Sequence, residues 1–355
     1  MKMKHLFIVH SSITWLVTQK IMENEQLPPA DCVILTDRNM PIPPGEYPGF
    51  DISKMELYDL KWREIKYFFS HGRQNRVQLK EIDHIISTVC PEEESFHFYL
   101  PHHRDLRYWA FNTHPQCKQF FYTEEGTMSY WGTRPHPTIP QYHGWQWEMK
   151  RFILTLSHNW YLQNRAPALL RSFYPQHPKY GGAYGLSKLA FPGLPKLHVL
   201  PLPFTHLPEW EDTQHVLVFG PYVEFGEFPQ KVRLRVTREL FTYFVKRRIT
   251  NVCVKFHPSQ FSKKKNLEQL KALINEYSDR IQFTEIPQEV SLENIAYSSE
   301  SDFYLVTSSV AIYAALCGNR VISYAQQILK YHLEFQNTLD AVPKNVWKKL
   351  EFIEF

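Results

Sequence analysis

Residues 251–259 read Asn-Val-Cys-Val-Lys-Phe-His-Pro-Ser. The first six are a strand in composition, with Val252, Val254 and Phe256 at alternate positions. A histidine then follows, with proline behind it. Proline biases the residue before it toward extended backbone, so His257 is expected to project from the strand's carboxyl end. The rhythm repeats outward from there. His215 to Phe219 predicts a strand, Gln230 to Arg248 a helix, Leu267 to Ser278 a helix and Ile281 to Phe283 a strand. Leu292 to Ser299 predicts a short helix, Asp302 to Val306 a strand, Val310 to Cys317 a helix and Val321 to Tyr324 a strand. Strands alternating with helices at this spacing predict a Rossmann-like half with a parallel sheet.

The first half carries the same alternation less cleanly. His5 to Val9 and Cys32 to Leu35 predict buried strands, and Ser12 to Glu23 predicts a helix with a serine start. Phe96 to Leu100 and Gln119 to Tyr122 are strand-like, with a charged aromatic segment between them. The stretch from Pro41 to Gln78 is a long polar and aromatic section with prolines at 41, 43, 44 and 48. Between 192 and 208 prolines stand at 192, 195, 201, 203 and 208, which no regular helix tolerates, so this stretch is expected to be a linker. The expected fold class is α/β: two Rossmann-like domains facing a cleft, residues 1–205 and 206–355.

A length of 355 residues suits two such domains. Lys plus Arg number 40 against 36 Asp plus Glu, a net charge of +4. That excess is too small to argue for nucleic-acid binding, and it is compatible with an anionic substrate or loose contact with an acidic membrane face. The aromatic share of 15% fits aromatic-rich cores or clefts that stack against rings. Five scattered cysteines (32, 90, 117, 253 and 317) without a C-x-x-C pair suggest reduced thiols. The apolar start Leu6 to Val9 is too short for a signal sequence, and no run approaches a membrane span, so a cytoplasmic protein is expected. The triplet Lys263-Lys264-Lys265 is expected to be a solvated face.

The sequence lacks G-x-G-x-x-G, the P-loop, G-x-S-x-G and H-E-x-x-H, and no D-x-D stands at a strand end. His102-His103 is not in itself a metal pattern. Three motifs remain. Glu124-Glu125-Gly126 follows the strand Gln119 to Tyr122, and adjacent like charges are expected to raise one carboxyl toward working pH, as suits a general base. His257-Pro258 is the second, an imidazole placed to meet a leaving phosphate. Ser308-Ser309, in Thr307-Ser-Ser-Val310, is the third, with hydroxyls where a strand gives way to a helix. All three follow predicted strands, the acid in the first half and the other two in the second.

In this order, Glu-Glu-Gly, His-Pro and Ser-Ser resemble the motifs of bacterial sialyltransferases and polysialyltransferases. Phe98-Tyr-Leu-Pro-His102 and Gly181-Gly-Ala-Tyr184 add to the likeness, which runs from about Leu6 to Tyr324. The resemblance implies a GT-B glycosyltransferase whose first half binds the acceptor and whose second half binds the donor, a CMP-activated nonulosonic acid. It implies an inverting transfer needing no metal or cofactor, to an oligosaccharide or glycolipid of capsule or lipooligosaccharide. It also implies a cytoplasmic place with peripheral contact at the inner face of the membrane. Glu124 or Glu125 is then the base and His257 the leaving-group residue. Gly126, Gly220, Pro221, Lys255, Pro258, Ser308 and Ser309 line the donor site, with Gly220 to Tyr222 as its wall. The family often has Asp where both acids here are Glu. Lys255, Arg104 or Arg107 is a candidate partner for the sugar carboxylate. A CDP-glycerol-type polyol-phosphate transferase and a non-catalytic glycan-binding protein are the alternatives.

Overall fold

Leu6, Phe7, Ile8 and Val9 are almost completely enclosed, as an apolar strand covered on both faces of a parallel sheet must be. They belong to β1 (Met3–Val9), which pairs in parallel with β2 (Cys32–Thr36) on one side and β4 (Ser95–Leu100) on the other. The structure is a computed structural model that describes residues 3–58, 65–103, 105–130, 173, 175–340 and 351–352. Its first sheet adds β3 (Gly49–Asp51), β5 (Cys117–Thr123), β6 (Tyr180–Gly185) and β7 (Leu197–Val199), in the order β3-β2-β1-β4-β5-β6-β7. Helix α1 (Ser12–Asn24) follows β1 through a capping box, in which Ser11 Oγ accepts the Thr14 N–H and Thr14 Oγ1 accepts the Ser11 N–H. Helix α2 (Ile65–Val89) and helix α3 (Leu106–Thr113) complete the set.

Two stretches hold elements that the sequence reading does not assign. The segment Pro41 to Gln78 leads into α2, whose second half buries Leu79, Ile82, Ile85 and Ile86 at helical spacing. The proline-rich stretch carries β7, an edge strand flanked by Pro195 and Pro201. An edge tolerates prolines because a missing N–H on its open side breaks no ladder.

The second sheet runs β10-β9-β8-β11-β12-β13, all parallel. Its strands are β8 (His215–Phe219), β9 (Asn251–Phe256), β10 (Gln282–Glu285), β11 (Asp302–Leu305), β12 (Arg320–Ser323) and β13 (Glu351–Phe352). The helices are α4 (Gln230–Lys246), α5 (Lys264–Asn275), α6 (Leu292–Ser298), α7 (Val310–Leu316), α8 (Ala325–Tyr331) and α9 (Gln336–Asp340). One apolar cluster packs α4 and α5 on β8 and β9 through Val236, Leu240, Phe241, Phe244, Leu270 and Leu273. A second, through Ile295, Ala296, Ala311 and Ala314, covers the sheet with α6 and α7.

Each unit is thus a doubly wound α/β layer structure. The first comprises Met1–Glu125 and Gly132–Pro203, and the second Gly126–Trp131 and Phe204–Phe355. The five cysteines are free thiols, and among the described residues no helix is long and apolar enough to cross a membrane.

Candidate functional site

In an open parallel sheet, ligands bind outside the carboxyl ends of the strands where the strand order reverses. In the first unit that place is between β1 and β4, with β5 next along. His10 follows β1, its N–H donated to Thr14 Oγ1 at 3.0 Å, so the α1 cap fixes its backbone. His102 follows β4, its ring 5.5 Å from that of Tyr108 on α3. Glu124 and Glu125 follow β5.

The two carboxylates have different surroundings. Glu124 is fully buried, and its Oε2 accepts the Leu186 N–H at 2.7 Å, tying the end of β5 to the turn beyond β6. A Cβ on Gly185 would stand 3.3 Å from that oxygen, so the close approach uses a glycine. Glu125 faces the histidines, its Oε2 3.0 Å from His10 Nε2 and 3.9 Å from His102 Nε2. All three side chains are at least nine-tenths enclosed. Burial pushes the Glu125 carboxyl up, but the His10 hydrogen bond and the charges of His102, His10 and Arg38 outweigh it and hold the pKa below the ordinary value. The expectation that adjacency raises a carboxyl is corrected for Glu125: its facing histidines decide the sign. His10 and His102 were missed as a pair because sheet order, not sequence spacing, brings β1, β4 and β5 together.

Arg107 does not wait for a ligand carboxylate. Its guanidinium holds Asp37 at 2.9 Å and Asp105 at 2.6 Å and donates to the Ile52 carbonyl at 2.7 Å. Tyr108 donates to Asp37 as well, at 2.7 Å. Burial raises the Asp37 pKa, but Tyr108 and Arg107 overcome it and leave it below its usual value. This buried fork is a structural cross-link between β2 and α3, which corrects the expectation for Arg107. Arg104 lies outside the described residues.

In the second unit the order reverses between β8 and β11. The loops after β8, β9 and β11 carry Gly220-Pro221-Tyr222, His257-Pro258 and Thr307-Ser308-Ser309. His257 is extended, as the following proline requires, and exposed. Its Nδ1 accepts the Ser259 N–H at 3.2 Å and lies 2.8 Å from Ser259 Oγ, capping the short helix that Pro258 begins. With Nδ1 an acceptor, the proton of the neutral ring belongs on Nε2, which makes no hydrogen bond among the described residues. Desolvation lowers the His257 pKa and the Glu224 charge partly restores it, so the ring is a neutral donor near pH 7.

Gln260, fully buried and missed in the sequence, joins two of these loops. Its Oε1 accepts the His257 N–H at 2.8 Å and its Nε2 donates to the Gly220 carbonyl at 3.3 Å. Tyr222 joins another pair: its hydroxyl receives the Thr307 N–H at 2.9 Å and donates to the Thr307 carbonyl. A Cβ on Gly220 would meet the Tyr222 ring at 2.3 Å, so the ring lies flat on that glycine. Ser308 Oγ accepts the Val310 N–H at 3.3 Å, while the Ser309 side chain makes no cap hydrogen bond. Gly126, at φ +104°, lies on Ser309: a Cβ there would be 2.9 Å from the Ser309 Cβ. The structure therefore brings the glycine of the acidic motif onto the serine pair.

Lys255 departs from expectation. It is buried in β9 and its ammonium donates to the carbonyls of Pro287 and, at 3.0 Å, Val290, so it fastens the loop after β10 and is no donor-binding cation. Among the described residues no group of three or more His, Cys, Asp or Glu side chains is placed to hold a metal ion.

No family model and no curated protein matches this sequence. Among solved structures the chain is similar to MnaA of S. aureus with UDP, at 12% identity over 99% of this chain and 92% of that one, with a TM-score of 0.45. It is similar to the trehalose-6-phosphate synthase OtsA at 9% identity over 98% and 93%, with a TM-score of 0.43. A third is WaaG, a glycosyltransferase involved in lipopolysaccharide biosynthesis, at 9% identity over 98% and 89%, with a TM-score of 0.41. Likenesses this low carry nothing about substrate or chemistry.

Proposed function

We propose that the protein is an inverting, metal-independent glycosyltransferase that moves a nonulosonic acid from its CMP-activated donor to a glycan hydroxyl. The observation that carries this reading is the division of labour in the acidic pair. Glu124 is engaged by the Leu186 N–H, whereas Glu125 stands beside two histidines at the switch point and is held ionised. A positioned carboxylate can take the acceptor's proton; the lowered pKa makes Glu125 a weaker base than a raised carboxyl, so its position beside the histidines carries the assignment.

In this reading the acceptor oxygen attacks the anomeric carbon as its proton passes to Glu125. The bond from that carbon to the CMP phosphate oxygen breaks, and its electron pair leaves with CMP. His257 donates from Nε2 to the departing phosphate, and the hydroxyls of Ser308 and Ser309 add hydrogen bonds to its oxygens. Gln260 and Tyr222 hold the loops that present these groups. The acceptors are cell-surface glycans of capsule or lipooligosaccharide type, met at the inner face of the cytoplasmic membrane.

The test is CMP release from a panel of CMP-nonulosonates, with EDTA present throughout. Glu125→Gln is expected to lose at least about 100-fold in turnover while still binding CMP. Glu124→Gln is expected to lose stability and to keep its activity per folded molecule. Full turnover by Glu125→Gln refutes the mechanism. Release from CDP-glycerol but from none of the CMP-sugars replaces the reading with polyol-phosphate transfer.

A further inference from the structure

The loop from Gly220 to Phe228 is fastened at nearly every residue. Tyr222 packs on Phe228 and Phe335, with ring centroids 5.8 and 5.6 Å away, and its hydroxyl is engaged by Thr307. Glu224 turns inward, its side chain 2% exposed, to meet Arg233 Nη1 at 3.0 Å. Glu227 accepts from Thr338, and its N–H closes the turn on the Tyr222 carbonyl at 2.8 Å. The Phe225 N–H is bound to the Pro221 carbonyl at 2.9 Å, so the backbone under that side chain is fixed too. Yet the Phe225 ring is 68% exposed. A single exposed apolar residue is ordinary on a protein surface; its neighbour is what distinguishes this one. The Phe225 ring stands edge-on to the His257 imidazole, with centroids 6.4 Å apart. Phe261, 39% exposed, lies in the short helix that His257 caps.

We propose that Phe225 is the stacking platform for the base of the donor nucleotide, whose phosphate is held at His257. The inference rests on the donor site proposed above and names its base subsite. In a nucleoside monophosphate the base and the phosphate are separated by one ribose, and here an aromatic face lies one ring away from the phosphate-binding imidazole. A rigid, pre-exposed ring gives up little conformational freedom on binding, and every base offers it a π-face. Phe225 thus supplies affinity for a planar base, while His257 and the serine hydroxyls supply affinity for phosphate.

Calorimetry on the full chain separates the two contributions by using CMP and ribose 5-phosphate, which lacks the base. Phe225→Ala is expected to weaken CMP binding about tenfold and to leave ribose 5-phosphate unchanged, and Phe225→Trp is expected to restore CMP affinity. In Phe225→Trp, CMP is also expected to quench emission from the added indole, and ribose 5-phosphate is not. The inference is overturned if Phe225→Ala binds CMP like the wild type or loses both ligands equally. It is also overturned if the only loss is of binding to anionic lipid vesicles, which would make the ring a membrane contact. A wild-type protein that binds neither probe overturns the donor-site reading itself, and the base subsite falls with it.

Discussion

Lowering the pH from 8 to 5 is expected to unfold the first unit before the second. Burial lowers the pKa of five histidines described there, His97 among them. His5 falls to about 4, through desolvation and then the field of His97, partly opposed by Asp31. His114 and His177 each fall to about 4, through desolvation and then the charge of Lys179, which donates to the His114 carbonyl at 2.9 Å. His103 is fully desolvated and lies well below its ordinary value, its Nδ1 2.5 Å from the Tyr122 hydroxyl and its Nε2 3.1 Å from Asn112 Nδ2. Each folded pKa is below the unfolded one, so between about 6.5 and 4 the unfolded chain binds more protons. The stability these groups contribute is complete above pH 6.5 and is lost as pH falls through that window. At pH 5 a histidine moved from 6.5 to about 4 costs at most about 2 kcal/mol, and less where solvent reaches the ring, as it does for His5, His114 and His177. Several such groups together are a sizeable part of a domain's whole stability of about 5–15 kcal/mol. Asp37 and Glu125, held low, act in the same direction at still lower pH. Hydrogen exchange read by mass spectrometry on peptides from β1, β4 and β5, against β8, β9 and β11, reports the two units separately. Lys179→Met is expected to flatten the response by letting His114 and His177 rise. The reasoning is refuted if exchange in β1, β4 and β5 gives the same stability at pH 5 as at pH 8, to within about 1 kcal/mol.

Gly126→Ala is expected to destabilise the second unit by about 2–3 kcal/mol, from a positive φ that alanine resists and from a 2.9 Å approach to Ser309; in urea titrations, Ser309→Gly should recover the steric part. Arg233→Met strands Glu224, whose side chain is 2% exposed, and should cost about 3–5 kcal/mol, much of it regained in the double variant with Glu224→Gln. Gln260→Ala leaves the Gly220 carbonyl and the His257 N–H without their partner, at about 1–3 kcal/mol by thermal unfolding, and CMP should bind more weakly as His257 loosens.

The second unit was the more legible half because β8, β9 and β11 are buried on both faces. Their residues form apolar runs with polar ends, and the predicted bounds agree with the observed ones to within a residue. Helix α2 escaped notice because the polar run Ser70 to Arg76 interrupts its apolar positions and a proline-bearing stretch precedes it. Strand β7 is three residues between prolines, and only its pairing with β6 makes it a strand. At the site, the strand-end positions of Glu124, His257 and Ser308 could be read from local pattern. What each side chain meets could not. Asp37 and Arg107 are seventy residues apart and locked together, and Lys255 carries a charge that looks available until its two carbonyl partners are in view.

The acidic motif straddles a boundary: its carboxylates belong to one unit and its glycine to the other. The second unit is therefore not a contiguous module. A gene cut at Pro203 leaves the six residues Gly126–Trp131 on the wrong fragment, and the carboxyl-terminal piece then lacks the patch that lies on Ser309. Recombination between diverged relatives at the same place would pair one parent's Gly126 with another parent's serine turn. Exchange of second units by shuffling is thus constrained to parents in which both sides of this contact match.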